Sequence, residues 1–259
     1  MTRHLLALAL ALCCLSASAE DELPKELPPD LEAAALRSAE ATGLAIYRHD
    51  QAASVATDAA LQLPQFRAEK RVTGWVTEER QGQIVVTFVD ATPAALYRIR
   101  VINGVAGPVE ALAAPAALSA YETGAAKARA AATAAKFQAC SERYNSVVLP
   151  SGDQWAVYLI PGTTKSNVVP IGGTHRLQVG DAGVVSQRAF TRSCIALESP
   201  PEAVALTINH LLDAVPTEAH VFWNLWARKP IYVSTPPNGT VWAVEGGKIK
   251  LVERKTAKT

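Results

Sequence analysis

Three runs between residues 71 and 102 alternate apolar and polar positions with a period of two, the pattern of strands with one buried and one wet face. They read "RVTGWVTEE", "QIVVTFVD" and "ALYRIRVI", separated only by "RQG" and "ATPA". In the third, Tyr97, Ile99 and Val101 alternate with Arg98 and Arg100. Short turns between such runs predict an antiparallel meander. Upstream, Asp30 as N-cap and Gly43 as stop bracket the helical "LEAAALRSAEAT". The run "LAIYRHDQAASVATDAAL" (44–61) has alanines that favour helix and a start that suits a strand; helix is the preferred reading.

The Gly-, Pro- and Ala-rich "NGVAGPVEALAAPA" (103–116) reads as a boundary. Beyond it, Leu118, Tyr121, Ala125, Ala128, Ala132 and Ala135 recur at helical spacing, with Lys127, Arg129 and Lys136 off the stripe. From Tyr144 the pattern returns to strands: "SVVLP", "QWAVYLI", "THRLQV", "VVSQRAFTRSCIAL", "VALTINHLL", "AHVFWNLWA", "PIYVST", "TVWAV" and "KIKLV". "GDAG", "PPNG" and "EGGK" supply turn residues between several of them. "VALTINHLL" also suits a short helix behind Pro201. The expected class is α+β: an N-terminal helix with an antiparallel meander (31–115), a central Ala-rich helix (116–140), and a mostly antiparallel β region (141–255).

The first residues change the picture of where the chain works. Arg3, the apolar "LLALALALCCL" and Ala17-Ser18-Ala19 form a secretory signal, with cleavage expected between Ala19 and Glu20. Leu12 before Cys13 argues against a lipoprotein signal. Residues 20–30 read as an extended leader. No later apolar stretch is long enough to span a membrane, so the mature chain is expected to carry no transmembrane segment. The whole chain has 25 Lys+Arg and 24 Asp+Glu; losing Arg3 with the signal leaves 24 of each. That balance argues against nucleic acid and against a polybasic membrane contact.

Two cysteines, Cys140 and Cys194, survive cleavage. In an oxidising compartment they predict a disulfide, with an effect of about 4 kcal/mol through chain entropy. A thiol enzyme on Cys194 is the competing reading. The sequence holds no H-E-x-x-H, G-x-S-x-G, S-x-x-K, P-loop, C-x-x-C or dinucleotide fingerprint.

Four histidines remain after cleavage: His49, His175, His210 and His220. His175 would face inward from the "THRLQV" strand, where a hydrogen-bonded neutral histidine is the commoner role. If the runs around "LLDAVPTEA" form a hairpin, the simplest register puts His210 and His220 on opposite faces, and a one-residue slip joins them. With Asp213 and Glu218 they would offer a zinc or copper set, which makes His175, His210, His220, Asp213 and Glu218 the candidate metal residues. No cofactor is expected otherwise. His49, Asp50 and Asp58 could do acid–base work or simply line a solvated helix face. Arg176, Arg188 and Arg192 could clamp an anion or keep a face soluble.

Trp223, Trp226 and Trp242 with Phe222 and Tyr232 concentrate aromatic mass near the C-terminus, either as core or as a platform for sugars or peptides. "NGT" (238–240) fits both an N-glycosylation acceptor and a hairpin turn. The sequence therefore favours an exported, non-catalytic protein of the bacterial envelope, periplasmic or secreted. It is expected to be a binding or structural module whose partner, a protein or a small molecule, is held through the C-terminal sheet, with Arg176, Trp223, Trp226 and Trp242 as candidate ligand contacts. A metal-dependent periplasmic hydrolase or metal-binding protein is the alternative.

Overall fold

The structure, a computed structural model, describes residues 26–254. The expected signal and its cleavage site lie outside the described residues. The chain opens with one long helix, α1 (Pro29–Leu61), which starts on Pro28 and Pro29 rather than on a side-chain cap. Asp30 sits with Glu32 in the first turn, where a carboxylate suits the helix dipole. Gly43, read from sequence as a stop, lies inside the helix. A Cβ there would stand 2.5 Å from Val221 Cβ and 2.8 Å from the Glu218 carbonyl oxygen. The glycine is where a second helix crosses, so its missing side chain serves packing rather than termination. A short α2 (Pro64–Ala68) follows.

The expected meander is present as β1 (Gly74–Arg80), β2 (Gln83–Val89) and β3 (Ala95–Ile102), all antiparallel. The stretch read as a boundary instead carries β4 (Val105–Ala106) and β5 (Glu110–Ala116), both hydrogen-bonded to β3. Its small residues have little strand preference of their own; the free edge of β3 supplies the pairing. The central helix α3 runs over Ala120–Ala134, shorter than expected, because Ser119 and Glu122 form a capping box at its start and Ala135 is already extended.

Next come β6 (Tyr144–Ser151), β7 (Gln154–Pro161), β8 (Val168–Val169), β9 (His175–Gly180), β10 (Gly183–Ala189) and β11 (Leu197–Glu198). They make a four-stranded antiparallel sheet in the order β10-β9-β7-β6, with β8 and β11 paired apart. The last unit is β12 (Leu206–Asn209), α4 (Glu218–Ala227), β13 (Ile231–Thr235), β14 (Thr240–Glu245) and β15 (Lys248–Arg254). Here "AHVFWNLWA", expected as a strand, is helix α4. Because β12 and β13 pair in parallel, their connection must cross over the sheet, and a helix does so. Seven of its ten residues are buried, the polar Glu218, His220 and Asn224 among them, so the segment is covered on most sides and shows no strand-like alternation. The remaining strands are antiparallel, and the architecture is α+β.

Alternation along β7 and β9 sorts the core into layers. Val157, Leu159, Leu177 and Val179 face α3. Ala156, Tyr158 and Ile160 face the opposite way, into a core shared with α1, α4 and the C-terminal sheet. The last turns of α1 pack Ala52, Ala56 and Ala60 against Val86, Phe88 and Ile99 of the meander. Helix α1 is thus the common spine. Glu40 fixes its other end by accepting from Lys248 Nζ and from the Ile249 backbone. Cys140 and Cys194 form the disulfide, tying the segment after α3 to the one after β10.

Glu122 joins α3 to the meander. It is 1% exposed and accepts from Ser119 N, Thr87 Oγ1 and Arg98. Burial alone would raise its pKa, but these donors together hold it below the usual value. Glu122→Gln keeps the shape and removes the charge that three donors were built around. It is expected to cost about 2 kcal/mol in urea unfolding, and a change within error would show the charge to be dispensable.

Candidate functional site

Three strands of the central sheet place Tyr158, Arg176 and Arg188 directly opposite one another, in one row on the face towards α1 and α4. The connection from β12 into α4 brings two carboxylates to this row. Glu218 Oε1 accepts from Arg176 at 2.9 Å and from the Tyr158 hydroxyl at 3.3 Å. Asp213 accepts both nitrogens of Arg188, at 3.1 and 2.6 Å, and His210 Nε2 at 2.9 Å. Burial would raise the Asp213 pKa, yet His210 and the forked arginine hold it well below the carboxylate range. Burial and the adjacent Glu218 push the Tyr158 phenol up.

His210 and His220 meet edge to face, with ring centroids 4.6 Å apart. The hairpin expected from sequence would have separated them. The helical turn brings them together, because His220 becomes the third residue of α4 and reaches back to its cap. Its Nδ1 accepts the Thr217 backbone N–H at 3.0 Å, which puts the proton on Nε2. That Nε2–H is buried without a partner among the described residues. Burial holds the His220 pKa well below 6.5.

The five residues proposed as a metal set do not form one site. His175 projects from the opposite face of β9, packs on Phe137, and donates from Nε2 to the Gln138 carbonyl at 3.0 Å. The strand period of two decides this, since Arg176 rather than His175 shares the face of Glu218. Around His210 and His220, Arg188 already neutralises Asp213, and Arg176 neutralises Glu218. Among the described residues no group of three or more His, Cys, Asp or Glu side chains is arranged to hold a metal ion.

The aromatic residues divide in the same way. Trp223 and Trp242 are each 1% exposed and belong to the core, out of reach of a ligand, whereas Trp226 is 38% exposed. Asn238 of the acceptor pattern is occupied inside its turn: Nδ2 donates to the Ala214 carbonyl and Oδ1 accepts from Thr235. Asp50 and Asp58 do not act together, because Asp50 is buried against Asn145 of β6 while Asp58 is exposed. Arg192 lies past the end of β10, outside the row.

A cleft of about 690 Å³ opens between α1 and the central sheet, with Tyr158, Arg176 and Gln178 on the sheet side and His49 on the helix side. It exists because α1 presents Ser38, Ala41, Thr42 and Ala45 there, at helical spacing and too small to reach the strands. Tyr121 and Leu149 form apolar walls. His49 pairs through Nδ1 with Thr77 Oγ1 at 2.8 Å, and burial lowers its pKa to about 4. Sequence reasoning singled out Arg176 and His49 but missed Tyr158 and Gln178. Their signal was present in the alternation of "QWAVYLI" and "THRLQV"; the pairing of the two strands was not.

No protein-family model matches the chain, and neither a curated protein nor a solved structure does.

Proposed function

We propose that this chain is an exported protein of the bacterial envelope that binds a small molecule, without transforming it, in the cleft between α1 and the central sheet. The observation that carries the reading is the cleft itself. Its volume falls in the range of ligand pockets, and its walls combine apolar side chains with polar ones that converge on the same space. The disulfide is compatible with an oxidising compartment, and among the described residues no helix is long and apolar enough to cross a membrane. The one histidine–hydroxyl pair at the cleft, His49 with Thr77, argues against catalysis. Both are almost fully buried, His49 has its pKa near 4, and no carboxylate orients it among the described residues.

Native mass spectrometry of the mature protein, purified untagged from a periplasm, tests this. A bound small molecule should accompany the wild type and be lost from Ala45→Trp, which fills the cleft. Identical spectra for both would remove the reading, as would a hydrolase activity abolished by His49→Ala.

A further inference from the structure

The charge left free in the cleft has a definite sign. Glu79, the carboxylate on its lining, has both oxygens occupied by the two Arg48 nitrogens, at 2.9 and 3.2 Å. The Tyr158 hydroxyl is committed to Glu218, and His49 is neutral except in acid. Arg176 differs. A guanidinium carries five N–H donors; Glu218 takes one at 2.9 Å and the Tyr158 hydroxyl lies against the group, which leaves donors over for a ligand. Its side chain is 35% exposed, and it lines the cleft. Glu218 also holds the guanidinium in place from behind, so its orientation is set before a ligand arrives. The rest of the wall is uncharged: alanine, leucine, proline and tyrosine, with the hydroxyls of Ser38, Thr42 and Ser151 and the Gln178 amide.

Resting on the cleft reading above, we infer that the ligand is an amphipathic organic anion, with an aromatic or alicyclic body against α1 and a carboxylate, sulfonate or phosphate on Arg176. A planar guanidinium with free parallel N–H groups is matched by such oxyanions, whereas a neutral ligand of the same body leaves those donors to water. The one carboxylate among the described lining residues, Glu79, is already paired. The unpartnered acceptor there, Gln178 Oε1, is a neutral amide oxygen that suits an N–H or O–H of the ligand body and carries no charge to hold a cation.

Two fluorescent probes with one body separate the outcomes: anilinonaphthalenesulfonate, which carries an anion, and N-phenylnaphthylamine, which does not. Each is titrated into the mature chain and into three variants. Arg176→Gln/Glu218→Gln removes the cation without orphaning its carboxylate, while Ala41→Trp and Ala45→Trp fill the cleft. Circular dichroism checks that each variant is folded. The wild type should bind the sulfonate about tenfold more tightly than the neutral dye, the double variant should bind the two alike, and the filled clefts should bind neither. Equal binding of both dyes by the wild type, or a preference that survives in the double variant, overturns the anion inference and leaves the cleft standing. Absence of binding to the wild type, or unchanged binding to the filled clefts, overturns both.

Discussion

Acidification from about pH 7 to about pH 5 should cost the fold several kcal/mol, because three histidines are kept neutral inside it. His49 has its pKa lowered from 6.5 to about 4, and burial also lowers His175 and holds His220 well below its ordinary value. In the unfolded chain each would take a proton near pH 6.5. Below that value the unfolded state holds more protons than the folded one, so stability falls as pH falls. The loss continues down to the folded-state values. Each such histidine contributes about 1.4 kcal/mol per pH unit, and the three together at most about 4 kcal/mol per unit.

Two carboxylates bear on the size of this effect. The Asp50 pKa is raised by burial, so its protonation in acid relieves strain and works the other way. The Asp213 pKa is lowered, so its stabilisation stays intact until the pH drops below 3.8 and does not enter this window. Urea unfolding at the two pH values measures the effect. His220→Gln retains an acceptor for the Thr217 N–H and should reduce the slope by about 1.4 kcal/mol per unit. A flat profile would mean that the histidines accept protons without loss of the fold.

Trp223→Ala should be the most damaging single truncation, at about 4 kcal/mol and a fall in Tm of about 10 °C. The indole is fully buried between α4 and the two sheets, in edge-to-face contact with Phe222 at 4.9 Å and Trp226 at 5.3 Å. Its N–H donates to Thr174 Oγ1 at 2.9 Å, at the start of β9. Truncation leaves a cavity where the central sheet, α4 and the C-terminal sheet meet, and the rigid helix crossing at Gly43 limits collapse into it. Trp226→Ala, at a half-exposed site on the same helix, should stay within about 1 kcal/mol. Thermal denaturation of the pair reads the difference. Equal, small losses would place Trp223 at the surface and restore it as a ligand contact.

Local pattern made much of the fold legible. The meander of β1 to β3 followed from alternation and short turns, and the body of α3 from its alanine stripe and the Ser119–Glu122 box. Both signals lie within a few residues of the backbone they organise. The errors share one cause. Glycine usually marks a helix stop, and the contact with Val221 that explains Gly43 lies far along the chain, out of reach of local pattern. The α4 segment suits a strand by sequence because a run buried on most sides shows no clear helical period.

The candidate site shows the same division. Composition and spacing pointed to Arg176, His210, His220, Asp213 and Glu218 as chemistry-bearing residues, and to Cys140 with Cys194 as a disulfide pair. How these side chains are used depends on pairing. The register across β7, β9 and β10 lines up Tyr158, Arg176 and Arg188, and the parallel β12–β13 crossover delivers Glu218 and Asp213 to them. It also turns two histidines expected on opposite faces into neighbours, and the strand period sends His175 to the other side of the sheet. The cleft is the clearest case. The sequence by itself determined small residues at 38, 41, 42 and 45, with Gly43 between them as an expected helix stop. That the helix runs through, and that the row faces a sheet it is too short to touch, only the tertiary structure decided, because a gap is a relation between two surfaces and is written in neither alone.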